Sequence, residues 1–150
     1  MSRPAQYQHR LCVILAGGDG TRLRQLTKCV SGDLCPKQFC PFLGGSTPLR
    51  ATRQRIAHSF EPEQIVFVVN RAHERYYSGA LADVRPSQVL IQPDNKGTAP
   101  TILLSLLQLN DLIQKHPWFF CHLTTTTSTN GVFSIPLTMP SKRPTGEHNP

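Results

Sequence analysis

The sequence lacks any apolar run of about 18 residues, the length that a membrane-spanning helix requires. Its opening segment, Met-Ser-Arg-Pro-Ala-Gln, also lacks the apolar stretch and small-residue cleavage site of a secretion signal. These absences predict a cytoplasmic protein that does not bind a membrane. With 150 residues, the chain is large enough for one domain with a hydrophobic core and too short for a complete multi-domain enzyme.

The five cysteines include no C-x-x-C pair, and an odd number does not suit a framework of disulfides. Cys29, Cys35 and Cys40 are six and five residues apart, which matches no common pattern of zinc ligands. The six histidines are scattered without ligand spacing, which favours surface or incidental roles. The sequence therefore predicts free thiols and no metal site built from cysteine or histidine.

Acidic side chains are scarce, since nine Asp and Glu residues face sixteen Lys and Arg residues and leave a formal net charge of +7. No block of about five or six consecutive basic residues occurs, although basic arms that bind nucleic acid contain such blocks. The arginines also lack the interleaved aromatic residues on which bases would stack. The charge therefore favours small phosphorylated ligands and argues against nucleic acid.

Three apolar segments have the length of strands. Residues 11–16 and 65–69 are uninterrupted apolar runs, and residues 89–91 form a shorter one. Runs of this kind are typical of strands that are covered on both faces of a parallel sheet.

Helical spacing of apolar residues follows each of these segments. It predicts a helix from Thr47, which would cap the first turn ahead of Pro48, and helices over residues 72–81 and 98–114. The alternation predicts an α/β fold, a Rossmann-like parallel sheet with flanking helices. Ligands of such sheets bind beyond the carboxyl ends of the strands, so we expect the functional residues in the loops after the first and third strands.

A glycine-rich segment directly follows the first predicted strand, and residues 15–23 read L-A-G-G-D-G-T-R-L. Successive glycines let backbone N–H groups converge on an anion, and Arg22 can complete the charge around a polyphosphate. The segment is neither a Rossmann fingerprint nor a P-loop, and its glycines alone suit an ordinary tight turn equally well. We expect Asp19 to bond its own turn rather than to act as a base.

A second segment, C-P-K-Q-F at residues 35–39, sets Lys37 between a proline that fixes the backbone and an aromatic residue that can anchor the core. A lysine held in this way is suited to bind a phosphate.

Over residues 11 to about 115, three motifs resemble in type and order those of the sugar-1-phosphate nucleotidyltransferases. They are L-A-G-G-D-G-T-R-L, P-K-Q-F and I-Q-P-D-N-K-G-T-A-P-T-I. The resemblance is closest to the mannose-1-phosphate guanylyltransferase branch, in which Gln follows the lysine and T-A-P opens the next helix. It implies the nucleotide-diphospho-sugar transferase type of fold. It also implies transfer from a nucleoside triphosphate, GTP being favoured, to a hexose-1-phosphate, mannose-1-phosphate being favoured, with Mg²⁺ assisting the departure of pyrophosphate.

The resemblance implies two catalytic residues: Arg22 would hold the departing pyrophosphate, and Lys37 would neutralise charge at the phosphorus under attack. It further implies a nucleotide-binding set in two parts. These are Leu15, Ala16, Gly17, Gly18, Asp19, Gly20 and Thr21 in the glycine loop, and Gln92, Gly97, Thr98 and Ala99 after the third strand. Gln92 and Gly97 would contact the base, and Thr98 and Ala99 would begin the helix beneath it.

The sequence departs from the family pattern after Lys115. There the family continues into a strand that ends P-S-D-H, and the aspartate of that motif binds the catalytic Mg²⁺. Residues 118–127 instead read W-F-F-C-H-L-T-T-T-T, and no aspartate follows Asp111. The codons for F-C-H-L-T-T permit L-P-S-D-H in the neighbouring frame, which favours a frame shift between about residues 115 and 120. A genuinely divergent C-terminal segment is the alternative.

These observations predict a flexible N-terminus over residues 1–9, an incomplete nucleotidyltransferase domain over residues 10–122, and a disordered, out-of-frame tail over residues 123–150. We expect the chain to be the N-terminal nucleotide-binding part of such an enzyme, inactive alone because the metal-binding aspartate and the sugar-binding half are missing. The alternative is a non-catalytic nucleotide-binding or regulatory module that associates with a full-length homologue.

Overall fold

The structure is a computed structural model that describes residues 11–42 and 45–110, and the strand backbone at residues 118–122 and 132–133. The predicted flexible N-terminus lies outside the described residues. So does the predicted disordered tail, except for the two residues that form the last strand.

Five strands form one sheet in the order β3-β2-β1-β4-β5. They are β1 (Leu11–Leu15), β2 (Ile65–Asn70), β3 (Val89–Gln92), β4 (Trp118–His122) and β5 (Val132–Phe133). Strands β1 to β4 run parallel to one another, and β5 pairs antiparallel with β4. The three strands predicted from apolar runs are therefore confirmed, as is the parallel α/β sheet.

The register places the carboxyl ends of the parallel strands at one edge of the sheet. Leu15, the last residue of β1, lies opposite Val68 in β2 and His122 in β4. At the ends of β2 and β3, Asn70 lies opposite Gln92. The segments that follow β1, β2 and β3 therefore leave the sheet at the same edge.

Four α-helices are described: α1 (Arg24–Ser31), α2 (Pro48–Ile56), α3 (Glu74–Ala80) and α4 (Thr98–Gln108). The start of α2 is as predicted, because Thr47 Oγ1 accepts a hydrogen bond from the Arg50 N–H at 3.2 Å and Pro48 takes the first helical position. Helix α4 begins at Thr98 as predicted but ends at Gln108, and residues 111–117 lie outside the described part of the chain.

The core has two layers, one on each face of the sheet. Cys12 and Ile14 of β1 belong to a cluster that includes residues of α2 and α3, whereas Val13 and Leu15 pack on the other face with residues of α4. Every residue of β1 and β2 is buried, which explains the apolar sequence of β1 and of β2 as far as Val69; only Asn70, at the end of β2, is polar.

The four cysteines whose side chains the structure describes form no disulfides; they are Cys12, Cys29, Cys35 and Cys40. Cys29 is exposed and the other three are buried. Among the described residues, no helix combines the length and the apolar character needed to cross a membrane.

Candidate functional site

A cleft of about 610 Å³ lies at the carboxyl end of β1. Its walls include most of the predicted glycine loop and both predicted cations, together with Leu15, Leu23, Gln38 and Asn95. The two cations are Arg22 and Lys37, which come from different segments of the chain. The volume is within the range of small-molecule sites.

The glycine loop, residues 17–21, is anchored from behind by Gln38. This side chain is only 2% exposed, and its Nε2 donates to the carbonyl oxygens of Ala16 at 2.7 Å and Gly18 at 2.8 Å. One buried amide therefore uses both of its protons to hold two loop carbonyls. Gln38 belongs to a short 3₁₀ helix, Lys37–Phe39, so the residue that fixes the loop is adjacent to the lysine.

Gln92, at the end of β3, holds the carbonyl of Gly17, which lies between those of Ala16 and Gly18. Its Nε2 donates to the Gly17 oxygen at 3.4 Å, and its Oε1 accepts from the Thr101 hydroxyl at 2.8 Å. The Gln92 amide passes so close to Gly17 that a Cβ there would lie 2.1 Å from Gln92 Nε2. Position 17 therefore accepts no side chain while Gln92 keeps this place.

These anchors determine where the loop N–H groups point. In a trans peptide, the carbonyl oxygen and the next N–H point in opposite directions, and the described peptide bonds are all trans. The N–H groups of Gly17 and Asp19 therefore point away from Gln38, and the N–H of Gly18 points away from Gln92. None of these three N–H groups donates a hydrogen bond within residues 11–42 and 45–110.

The end of the loop brings Lys37 close to Gly20. Gly20 has φ +60°, a left-handed conformation that favours glycine, and a Cβ there would lie 3.1 Å from the Lys37 backbone nitrogen. Its carbonyl accepts from the Leu23 N–H at 2.9 Å, which begins a 3₁₀ turn that carries Arg22. Arg22 is exposed and Lys37 half-buried, and within the described residues neither forms an ion pair. Both cations are therefore available to an anion in the cleft.

The expectation that Asp19 bonds its own turn is wrong for the described residues, because its carboxylate contacts two other segments. One oxygen of its carboxylate lies 3.3 Å from His73 Nε2, and the other accepts from Asn95 Nδ2 at 2.9 Å. His73 is buried, which is contrary to the surface or incidental role expected of the histidines. The available signal was its place three residues after the end of β2, the strand next to β1.

The remaining predicted site residues lie near the cleft edge of the sheet. Leu15 lines the cleft, and Ala16 is buried and contributes its carbonyl to Gln38. Gln92 is buried, whereas Gly97, Thr98 and Ala99 are exposed at the start of α4 and do not line the cleft. Contact of these four residues with a nucleotide stays a prediction.

The described residues do not fit a protein-held Mg²⁺ ion. Over residues 11–42 and 45–110, no three His, Cys, Asp or Glu side chains are grouped so that they could hold a metal. In that part of the chain, Asp19 is the one carboxylate that lines the cleft, and both of its oxygens have partners. The aspartate that the family resemblance implies has no counterpart among them.

A parallel α/β sheet with a glycine loop and two cations at its carboxyl edge is typical of proteins that bind phosphorylated small molecules. The family model described as Nucleotidyl transferase matches residues 11–120, and the chain belongs to this family. The sequence-based resemblance to the sugar-1-phosphate nucleotidyltransferases is thereby confirmed.

Individual relatives agree with this assignment. The xanthan biosynthesis protein XanB of Xanthomonas campestris pv. campestris is 37% identical over 100 residues, which is 65% of this chain and 20% of that protein. A mannose-1-phosphate guanylyltransferase of Escherichia coli is 31% identical over 100 residues, with the same shares covered. The chain thus spans about a fifth of the length of these relatives.

A solved structure has the same fold. The crystal structure of a mannose-1-phosphate geranyltransferase from Thermus thermophilus superposes with a TM-score of 0.60 at 26% identity. The match covers 77% of this chain and 32% of that protein. The fold is therefore that of the nucleotide-diphospho-sugar transferases, of which this chain contains a part.

Proposed function

We propose that these 150 residues carry the nucleotide-binding part of a cytoplasmic mannose-1-phosphate guanylyltransferase-like enzyme. In the reaction, a phosphate oxygen of mannose-1-phosphate attacks the α-phosphorus of GTP. The bond from that phosphorus to the oxygen bridging the β-phosphate breaks, so that GDP-mannose forms and pyrophosphate leaves. The choice of guanosine and mannose is supported by the relatives that bear the name mannose-1-phosphate guanylyltransferase and by the order of the three motifs.

The observation that carries the proposal is the anchoring of three successive carbonyls by Gln38 and Gln92. The N–H groups of Gly18 and Asp19, two residues that line the cleft, donate no hydrogen bond within residues 11–42 and 45–110. Oriented backbone donors of this kind stabilise the charge on phosphate oxygens without reorganising when the ligand binds.

The two cations have separate tasks. Lys37 is fixed beside Gly20 by the packing of the two backbones, and it offsets charge at the α-phosphorus under attack. Arg22 is more exposed and follows the loop, so it holds the pyrophosphate as it departs. Positioning and charge stabilisation of this kind supply most of what a protein contributes to phosphoryl transfer.

We further propose that the 150-residue chain binds nucleotide and does not complete the transfer by itself. The cleft lacks a second carboxylate among the described residues, and the chain spans about a fifth of its relatives. A titration with GTP tests the binding step. Arg22→Ala and Lys37→Ala are each expected to weaken GTP about tenfold, because each removes one charge-assisted contact.

Matched controls for these variants are Arg50→Ala on α2 and Lys28→Ala on α1, which remove the same charges from exposed positions that do not line the cleft. They are expected to keep the wild-type dissociation constant. Equal affinity in all five proteins would contradict the binding site.

Release of pyrophosphate from GTP, mannose-1-phosphate and Mg²⁺ by the purified chain would contradict its proposed inactivity. Co-purification of a full-length homologue would favour the regulatory module.

We also propose that the reading frame changes between about residues 115 and 120. The family match ends at residue 120, and β4 still runs parallel to β1 through His122, at the edge where P-S-D-H would follow. The coding DNA for residues 114–124 is expected to read P-S-D-H in the neighbouring frame. Codons that do not permit this reading would show that the C-terminal segment has diverged.

A further inference from the structure

The segments that follow β1, β2 and β3 are joined at one side chain, Asp19. Its carboxylate lies in the glycine loop after β1. His73, which contacts one carboxylate oxygen, belongs to a 3₁₀ turn after β2, and Asn95, which contacts the other, belongs to the loop after β3. Three segments that are distant in sequence therefore meet at the wall of the cleft.

The two donors to Asp19 are held in place by their own neighbours. Asn95 Oδ1 accepts from the Gly97 N–H at 3.0 Å, so the amide must turn its Nδ2 toward Asp19. The His73 ring packs edge-to-face on Phe39, with ring centres 6.4 Å apart. Phe39 ends the 3₁₀ helix that also carries Lys37, so His73 contacts both the loop and the segment that presents the lysine.

His73 is suited to donate to Asp19 in its neutral form. Burial lowers the pKa of His73, the carboxylate of Asp19 opposes that shift, and Arg24 adds to it. The neutral ring carries one proton, which the contact with Asp19 places on Nε2. Within the described residues, His73 Nδ1 is buried without a hydrogen-bond partner, so no second hydrogen bond competes with Asp19 for the ring.

We propose that His73 and Asn95 are positioning residues, which act through Asp19 to hold the glycine loop in the geometry that binds a nucleoside triphosphate. The inference rests on the proposed function of the cleft. A carboxylate in a loop that receives phosphate oxygens would repel them if it turned toward the ligand. Two donors from neighbouring loops fix the direction of that carboxylate and offset part of its charge.

A pair of histidine substitutions tests the role of His73. In glutamine the amide nitrogen is separated from Cα by the same number of bonds as Nε2 in histidine, whereas in asparagine it corresponds to Nδ1. His73→Gln therefore keeps a donor to Asp19 and is expected to bind GTP within about twofold of wild type, and His73→Asn is expected to bind about tenfold more weakly. His58→Asn, at an exposed position on the surface, is the control and should not change the affinity.

A double-mutant cycle shows whether the effect passes through Asp19. In an Asp19→Ala background, His73→Asn is expected to cause no further loss of GTP affinity, because the contact it removes is already absent. Asn95→Ala, combined with Asp19→Ala in the same way, gives a second cycle. Because Asn95 is exposed, this cycle tests the proposal even if the His73 variants fold poorly. Additive losses in these cycles, or equal affinities of His73→Gln and His73→Asn, would overturn the positioning role.

The same titrations separate this inference from the proposed function. If wild type binds GTP and Arg22→Ala weakens it, while the variants at positions 73 and 95 keep full affinity, the positioning role alone is wrong. If wild type does not bind GTP, the proposed function fails and the positioning role fails with it.

Discussion

Replacing Gly17 with alanine is expected to destabilise the protein and to abolish measurable GTP binding. The new Cβ would lie 2.1 Å from Nε2 and 2.9 Å from Cδ of Gln92, whose side chain is buried and bonded to Thr101. Relief requires the amide to move, which breaks its bonds to Gly17 and Thr101 in the interior. We expect a loss of about 2 to 3 kcal/mol in the free energy of unfolding, or a Tm roughly 10 °C lower.

Gly18→Ala is the matched control for this prediction. It adds the same methyl group one residue along the same loop, where a Cβ meets nothing within 4 Å. Gly18 is also absent from the glycines with positive φ, so alanine is not strained there. Thermal unfolding of the two variants compares them directly, and a Gly17→Ala protein as stable as Gly18→Ala would show that Gln92 does not occupy this place.

The parts of the fold that follow from local sequence were predictable. β1 and β2 are buried on both faces, which requires apolar residues in all of β1 and in β2 as far as Val69, and Thr47 with Pro48 marks the start of α2. Helix α1 was not predicted. Leu26, Cys29 and Val30 do have helical spacing, but only Thr27 of this helix is buried while Leu26 and Val30 are exposed, so its apolar residues do not pack into the core.

The sequence predicted which residues form the site, but not the contacts that hold them in place. The glycine loop, Arg22 and Lys37 were recognised from motifs, and the structure brings them to one cleft. The role of Gln38 depends on its contact with Ala16, 22 positions earlier in the chain, and the role of His73 on its contact with Asp19, 54 positions earlier. No local sequence pattern encodes contacts over such separations. Gln38 entered the sequence argument as a marker of the guanylyltransferase branch, and the structure adds a physical reason for an amide at that position.

Gln38→Leu is expected to have the second large effect. Leucine fills a similar volume but offers no donor, so the carbonyl oxygens of Ala16 and Gly18 lose the partner that holds them. Leaving one buried and one part-buried acceptor unpaired costs about 3 kcal/mol in the free energy of unfolding, and the two freed peptides no longer hold the N–H groups of Gly17 and Asp19 in fixed directions. Chemical denaturation should show the lower free energy of unfolding, and GTP titration should show an affinity reduced by about 100-fold or more.

Gln88→Leu provides a control with the same chemistry at the other end of the sheet. Gln88 Nε2 also donates to two carbonyl oxygens, those of Pro62 at 2.7 Å and Ile65 at 2.8 Å, and Ile65 is the first residue of β2. Because Gln88 is only half-buried, water can replace part of what is lost, and we expect a smaller destabilisation with unchanged GTP affinity. If both variants lose GTP affinity in proportion to their stability, the loop anchoring by Gln38 has no specific role. If Gln38→Leu alone loses it, the buried amide directs the phosphate-binding donors.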